Sequence, residues 1–98
     1  MARTPFGWTV QGEIDEGQAA VIVRIFDEFT RTYLHAGLSE IAEALNVDAI
    51  PTQRGGGWHA STVRYILANR RYVEIVGLAA FDAAQSRLVG LRYGPTKG

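Results

Sequence analysis

The chain has no cysteine among its 98 residues, and only three prolines, two histidines and one lysine. The missing thiols exclude a disulfide framework, an iron–sulfur cluster, a zinc ribbon and a thiol nucleophile, and they fit a reducing compartment. His35 and His59 stand too far apart in the sequence to suggest a metal site. No apolar run approaches the roughly 18 residues of a membrane span, and the opening Met-Ala-Arg-Thr-Pro leads into no signal-peptide hydrophobic segment. The expectation is a soluble, cytoplasmic protein without a cofactor.

What is present fits one small folded unit. A chain of this size buries roughly 60 to 65% of its unfolded surface, enough for a single core. With 47% hydrophobic and 20% charged residues the composition is that of a globular protein, not of a disordered one. Residues 1–98 are therefore expected to form one domain.

The formal net charge is zero, yet the two halves differ. Residues 1–50 carry three arginines against eight carboxylates, a balance of −5; residues 51–98 carry seven cations against two carboxylates, a balance of +5. A clustered positive field attracts phosphates and releases their counterions, so the second half is suited to a polyanion. Arginines folded against the acidic helices would give the same arithmetic.

Periodicity supplies the elements. Pro5–Val10 is β-prone, and Gln11-Gly12 offers a turn before Glu13-Ile14, which predicts a short strand or hairpin. Asp15 is a natural N-cap, with Gln18 at the capping-box position. From Glu16 to about His35, Ile22, Phe26, Phe29 and Tyr33 recur at steps of four, three and four, the stripe of an amphipathic helix that Gly37 would stop. Ser39 can cap a second helix with Leu38, Ile41, Ala42 and Leu45 buried, ended by Asn46. Pro51 and Gly55-Gly56-Gly57 mark a loop anchored by Ile50 and Trp58.

A third helix runs from Ala60 to about Arg70, with Ala60, Val63, Ile66 and Leu67 inward and Ser61, Arg64, Tyr65 and Ala68 opposite. At about 16 Å it is long enough to lie in a major groove about 12 Å wide. Tyr72–Val76 and Arg87–Tyr93 can pair as a C-terminal hairpin, although Ala79–Ala84 between them is better helix than turn. Gly94–Gly98 reads as a frayed end. The fold class is mainly α with small β elements: a helix-turn-helix-like three-helix core, a short N-terminal β element and a possible C-terminal hairpin.

Two short helices, the second with a polar and cationic outer face, are how helix-turn-helix proteins present a reading helix. Arg64 could fork onto guanine, Ser61 and Tyr65 could reach base edges, and Thr62, Asn69, Arg70, Arg71 and Arg54 could hold phosphates. An ordinary solvated surface helix has the same spacing. No catalytic set competes: Ser39, Ser61 and Ser86 lie in no nucleophile elbow, and Asp15-Glu16 is explained by the helix start. Thr52–Trp58 is no P-loop, because no Gly-Lys-Ser/Thr follows.

Pro5-Phe6-Gly7-Trp8, the helix around Ala20-Val21 and Ile25-Phe26, and Leu38, Ile41, Ala42 with Leu45-Asn46 resemble the recombinase domain of large serine recombinases, the family of phage integrases and transposon resolvases. The stretch from Ile50-Pro51-Thr52 through Arg54-Gly55-Gly56, Trp58, Ser61-Thr62-Val63, Ile66-Leu67 and Asn69 to Tyr72 is similar to that family's signature. The similarity covers residues 5–73, a recombinase-like DNA-binding core, and leaves 74–98 as a divergent tail. Arg70 and Glu74 replace a usual proline and glycine, and Ala49 stands near a position that is usually glycine or small.

The resemblance implies sequence-specific binding of double-stranded attachment-site DNA during DNA integration, without catalysis by these residues. The serine nucleophile and a cysteine-rich zinc domain belong to other regions of such recombinases. A recombinase catalytic domain or a second copy of the chain are the implied protein partners. From another class of function, a protein-interaction module docking onto a recombinase is the alternative.

Overall fold

The computed structural model describes residues 4–53 and 55–92, and it is mainly helical. The helices are α1 (Glu16–Thr30), α2 (Leu38–Val47), α3 (Ala60–Ala68), α4 (Val73–Val76) and α5 (Leu78–Arg92), with a 3₁₀ turn at Arg70–Tyr72 before α4. The expected β element is a hairpin with one antiparallel bridge between Trp8 and Ile14. Gly12 turns it at a φ of 87°, a conformation that costs glycine little.

The helices assemble through the stripes that their sequences predict. Ile22, Ile25, Phe26 and Phe29 of α1, Ile41, Ala42 and Leu45 of α2, and Val63, Ile66 and Leu67 of α3 are buried in one core. Burying such aliphatic and aromatic side chains contributes about 1.5 to 3 kcal/mol each, and this burial holds short helices that would fray alone.

Helix α1 stops at Thr30 rather than near His35, and Tyr33 is 79% exposed instead of continuing the stripe. The Thr30 hydroxyl donates to the Phe26 carbonyl at 2.8 Å, and Arg31 already has an extended ψ of 146°. Such back-bonding competes with helix continuation. Leu34, not Gly37, takes the left-handed conformation, with a φ of 58°. Gly37 is instead the N-cap of α2, with Glu40 reaching back to its N–H at 2.7 Å, and Ser39 lies inside the first turn.

Asn46 does not end α2, which continues to Val47. The end is a Schellman motif: the Ile50 N–H donates to the Leu45 carbonyl and the Ala49 N–H to the Asn46 carbonyl, both at 3.0 Å. Its left-handed position is filled by Ala49, with a φ of 59°. The Cβ there is strained by roughly 1 kcal/mol.

Among the described residues the C-terminal hairpin is absent, because residues 70–76 and 78–92 are helical, while Tyr93 lies outside them. Ala79, Ala80, Ala83 and Ala84 favour a helix, and Phe81, Ala84 and Leu88 share one buried face. That face lies on α1, where the rings of Phe26 and Phe81 are 6.4 Å apart. Helical burial of this face outweighs the β propensity of the valines. Helix α3 is also shorter than expected, since Asn69 leaves helical geometry at a ψ of 109° and the 3₁₀ turn follows.

Candidate nucleic-acid interface

The start of α3 is fixed by the loop before it. Asn46 of α2 accepts from the Trp58 N–H at 2.7 Å and donates to the Trp58 carbonyl at 2.9 Å. The Trp58 indole N–H donates to the Ile50 carbonyl at 2.9 Å, and its ring meets Phe6 edge-on at 5.4 Å. Trp58 is thus buried, and both its main chain and its side chain are held.

A second seam ties the end of α3 to the N-terminal arm. The Tyr72 hydroxyl, buried beside Trp8, donates to the Phe6 carbonyl at 2.6 Å. Burial pushes this phenol up to about 12 from its ordinary value near 10, with a lesser contribution from Tyr65. Gln18 completes the arm's attachment: it accepts from the Gly7 N–H at 2.7 Å, while Asp15 caps the Gln18 N–H at 2.9 Å. The capping box is therefore half formed, because the Gln18 side chain turns to the arm.

Held from both ends, α3 turns Val63, Ile66 and Leu67 into the core and exposes Ser61, Arg64, Tyr65 and Ala68. Tyr65 is 67% exposed. Thr62 is half-buried on one flank of this face, and Arg64 stands on the other, beside Gln85, Leu88 and Val89 of α5. Arg70 and Arg71 are exposed just beyond the helix, with the Arg71 guanidinium 4.7 Å above the Trp8 ring. Asn69 has a structural role in the same turn, its Oδ1 accepting from the Arg71 N–H at 3.0 Å. Arg54 lies outside the described residues, as do residues 93–98.

The electrostatics separate this edge from the rest. From Ala49 to Val73 the sequence contains no carboxylate and four arginines. Among the described residues the ion pairs are Arg24 with Glu28 at 2.9 Å and Asp48 at 2.8 Å, and Arg31 with Asp27 at 3.1 Å. The hydrogen bond to Glu28 raises the Arg24 pKa further. Arg64, Arg70 and Arg71 form no ion pair among the described residues.

Arg87 belongs to the basic half of the sequence but not to this edge. Its Nη1 donates to the carbonyls of Phe29 at 2.9 Å and Ala36 at 2.8 Å, and its guanidinium lies 4.2 Å above the Phe29 ring. It supplies the positive charge that the last turn of α1 lacks. Gln85 similarly donates to the Leu67 carbonyl at 2.6 Å, satisfying the end of α3 from α5. Sequence reasoning had no local signal for either residue, because both act across the fold. For Asn46 the signal was the Asn itself, a side chain able to donate and accept at once.

Among the described residues no group of three or more His, Asp or Glu side chains could hold a metal, and no helix is long and apolar enough to cross a membrane. The arrangement offers fork-shaped and hydroxyl donors on a narrow ridge, flanked by a groove of about 1120 Å³ between α3, the loop and the N-terminal hairpin. Such a ridge suits base edges and phosphates.

No curated protein and no solved structure matches the chain. The model of the Recombinase family matches residues 16–89, which runs from the first turn of α1 into α5 and takes in α2, α3 and the Asn46–Trp58 contact, though not the N-terminal arm. With about three quarters of its length in that match, the chain belongs to the Recombinase family, domains of serine recombinases involved in site-specific recombination.

Proposed function

We propose that this domain binds double-stranded DNA sequence-specifically, with α3 in the major groove, as the attachment-site-reading part of a serine site-specific recombinase. The observation that supports this most is the exposed, carboxylate-free outer face of α3, continued by Arg70 and Arg71, which form no ion pair among the described residues. Arg64 forks onto guanine O6 and N7, and Ser61 and Tyr65 reach neighbouring base edges. Thr62, Asn69, Arg70, Arg71 and Arg54 hold phosphates and set the register. Strand cleavage is not assigned to any of these residues.

A second copy of the chain, paired through its own or a recombinase catalytic domain, would present two such helices to half-sites about 34 to 36 Å apart. This reading fits a cytoplasmic protein in contact with the DNA that it binds.

Selection of bound duplexes from random DNA, followed by titration at two salt concentrations, tests the reading. A preferred half-site and a steep loss of affinity with salt are expected, and Arg71→Ala should weaken all duplexes alike while lowering the salt slope by about one. No enrichment together with a salt-independent response would overturn it in favour of a protein-docking module.

A further inference from the structure

Two arginines follow one another after α3, and the fold treats them differently. Arg70 and Arg71 are both exposed, and neither forms an ion pair among the described residues, although Glu13 sits in the hairpin and Glu74 three positions past Arg71. Arg71 is held at two points: its N–H donates to Asn69 Oδ1 at 3.0 Å, and its guanidinium carbon stands 4.7 Å from the centre of the Trp8 ring. Among the described residues no ring and no hydrogen bond engages the Arg70 side chain.

Trp8 is a fixed platform. It is 4% exposed, and its ring lies 5.4 Å from that of Tyr72. Its flanks are tied across the hairpin, where the Thr9 N–H donates to the Glu13 carbonyl at 2.7 Å and the Asp15 N–H to the Gly7 carbonyl at 2.8 Å. Gly7 has a φ of 112°, and an added Cβ there would stand 3.0 Å from Ile75, so glycine is what lets the arm lie this close to α4 and carry the ring to the turn.

A cation above a ring is attracted through its charge, which leaves its N–H groups free. Arg87 also lies over a ring, but its Nη1 is engaged by two carbonyls, and Arg24 is engaged by two carboxylates. The Arg71 guanidinium makes no hydrogen bond among the described residues. It is placed yet unsatisfied, a combination that suits a bidentate oxyanion arriving from outside.

We propose that Trp8 is a positioning residue of the interface: its ring holds the Arg71 guanidinium where a DNA phosphate meets it, so that Arg71 makes an ordered contact while Arg70 supplies diffuse charge. The proposal rests on the duplex-binding reading above and adds Trp8 to it. Ordering the side chain before binding reduces the entropy lost in the complex.

Two measurements on the full chain test it. In the free protein, NMR relaxation of the arginine Nε–H groups should give Arg71 an order parameter above about 0.6 and Arg70 one below it. With the duplex recovered by selection, and well below each unfolding transition, Trp8→Leu should bind about two- to fivefold more weakly with an unchanged salt slope, because the charge remains. Trp8→Phe, which keeps a ring, should recover most of that loss. In an Arg71→Ala background Trp8→Leu should cost nothing further, whereas in an Arg70→Ala background it should cost the full amount. Arg71→Lys should keep the slope and still lose affinity, and it carries the test if Trp8→Leu does not fold.

Equal mobility of the two Nε–H groups would overturn the proposal without any DNA measurement. Wild-type affinity in Arg71→Lys, or the same loss from Trp8→Leu with and without Arg71, would overturn it while leaving α3 as the reading helix. A wild-type chain that binds no duplex would overturn both readings.

Discussion

Arginines on the α1 side of the molecule are engaged within the fold, whereas those on α3 and the turn after it are held outward. Arg24 bridges Glu28 and Asp48, Arg31 meets Asp27, and Arg87 closes the carbonyl end of α1. Arg64, Arg70 and Arg71 face solvent along a stretch without carboxylates. A formal charge count gives all six the same weight. Geometry divides them into three whose guanidiniums are bonded within the fold and three that form no ion pair among the described residues, Arg71 being stacked over Trp8 while exposed to solvent.

The largest effect expected from this division is on stability. Arg87→Met should keep the aliphatic stem but remove two charged hydrogen bonds and the ring contact, lowering unfolding free energy by about 2 to 3 kcal/mol in urea titrations. Duplex affinity measured well below the unfolding transition should stay near wild type. A large, selective loss of affinity in this variant would break the comparison.

Arg64→Ala is the converse. It should cost on the order of 1 to 3 kcal/mol of binding and relax preference at one base pair, while changing stability by no more than about 0.5 kcal/mol. Binding selections repeated on the variant would show whether one position of the site has lost its preference.

Tyr72 sharpens the comparison because it joins the outward edge to the buried arm. Its phenol is raised to about 12 in the fold against an ordinary value near 10. The neutral form is the one that the fold favours, so its contribution is complete below pH 10 and is lost as pH rises from 10 toward 12. Tyr72→Phe should lose about 1 kcal/mol near neutrality, through the missing bond to Phe6, and should show a shallower decline of stability across that alkaline range.

The smallest effect is a gain. Ala49→Gly should stabilise by roughly 0.5 to 1 kcal/mol, by relieving the left-handed position of the Schellman motif. A melting temperature below the wild type would mean that the methyl group packs better than its φ suggests.

The helical stripes were legible in the sequence because each is local, with Ile22, Phe26 and Phe29 or Val63, Ile66 and Leu67 fixing a face by spacing alone. The outward set on α3 followed from the same spacing. Where two local signals competed, sequence was a poor guide: the valines of 73–76 and 89 suggested strands and the alanines of 79–84 a helix, and the burial of Phe81, Ala84 and Leu88 against α1 decides for the helix. The double role of Asn46, the cap supplied by Arg87 and the turn of Gln18 toward Gly7 join residues 12, 58 and 11 positions apart. No periodicity reports such pairings.

The grip of Asn46 on both polar groups of Trp58 also separates two properties that evolution could otherwise not alter independently. Residues 52 to 56 lie upstream of that latch, so insertions or deletions among them would change how far the connector protrudes without rotating the rod that follows. Under the proposed DNA-binding reading, reach toward one strand and the angle of α3 against the bases would then drift apart from one homologue to the next, a modularity set by one amide side chain.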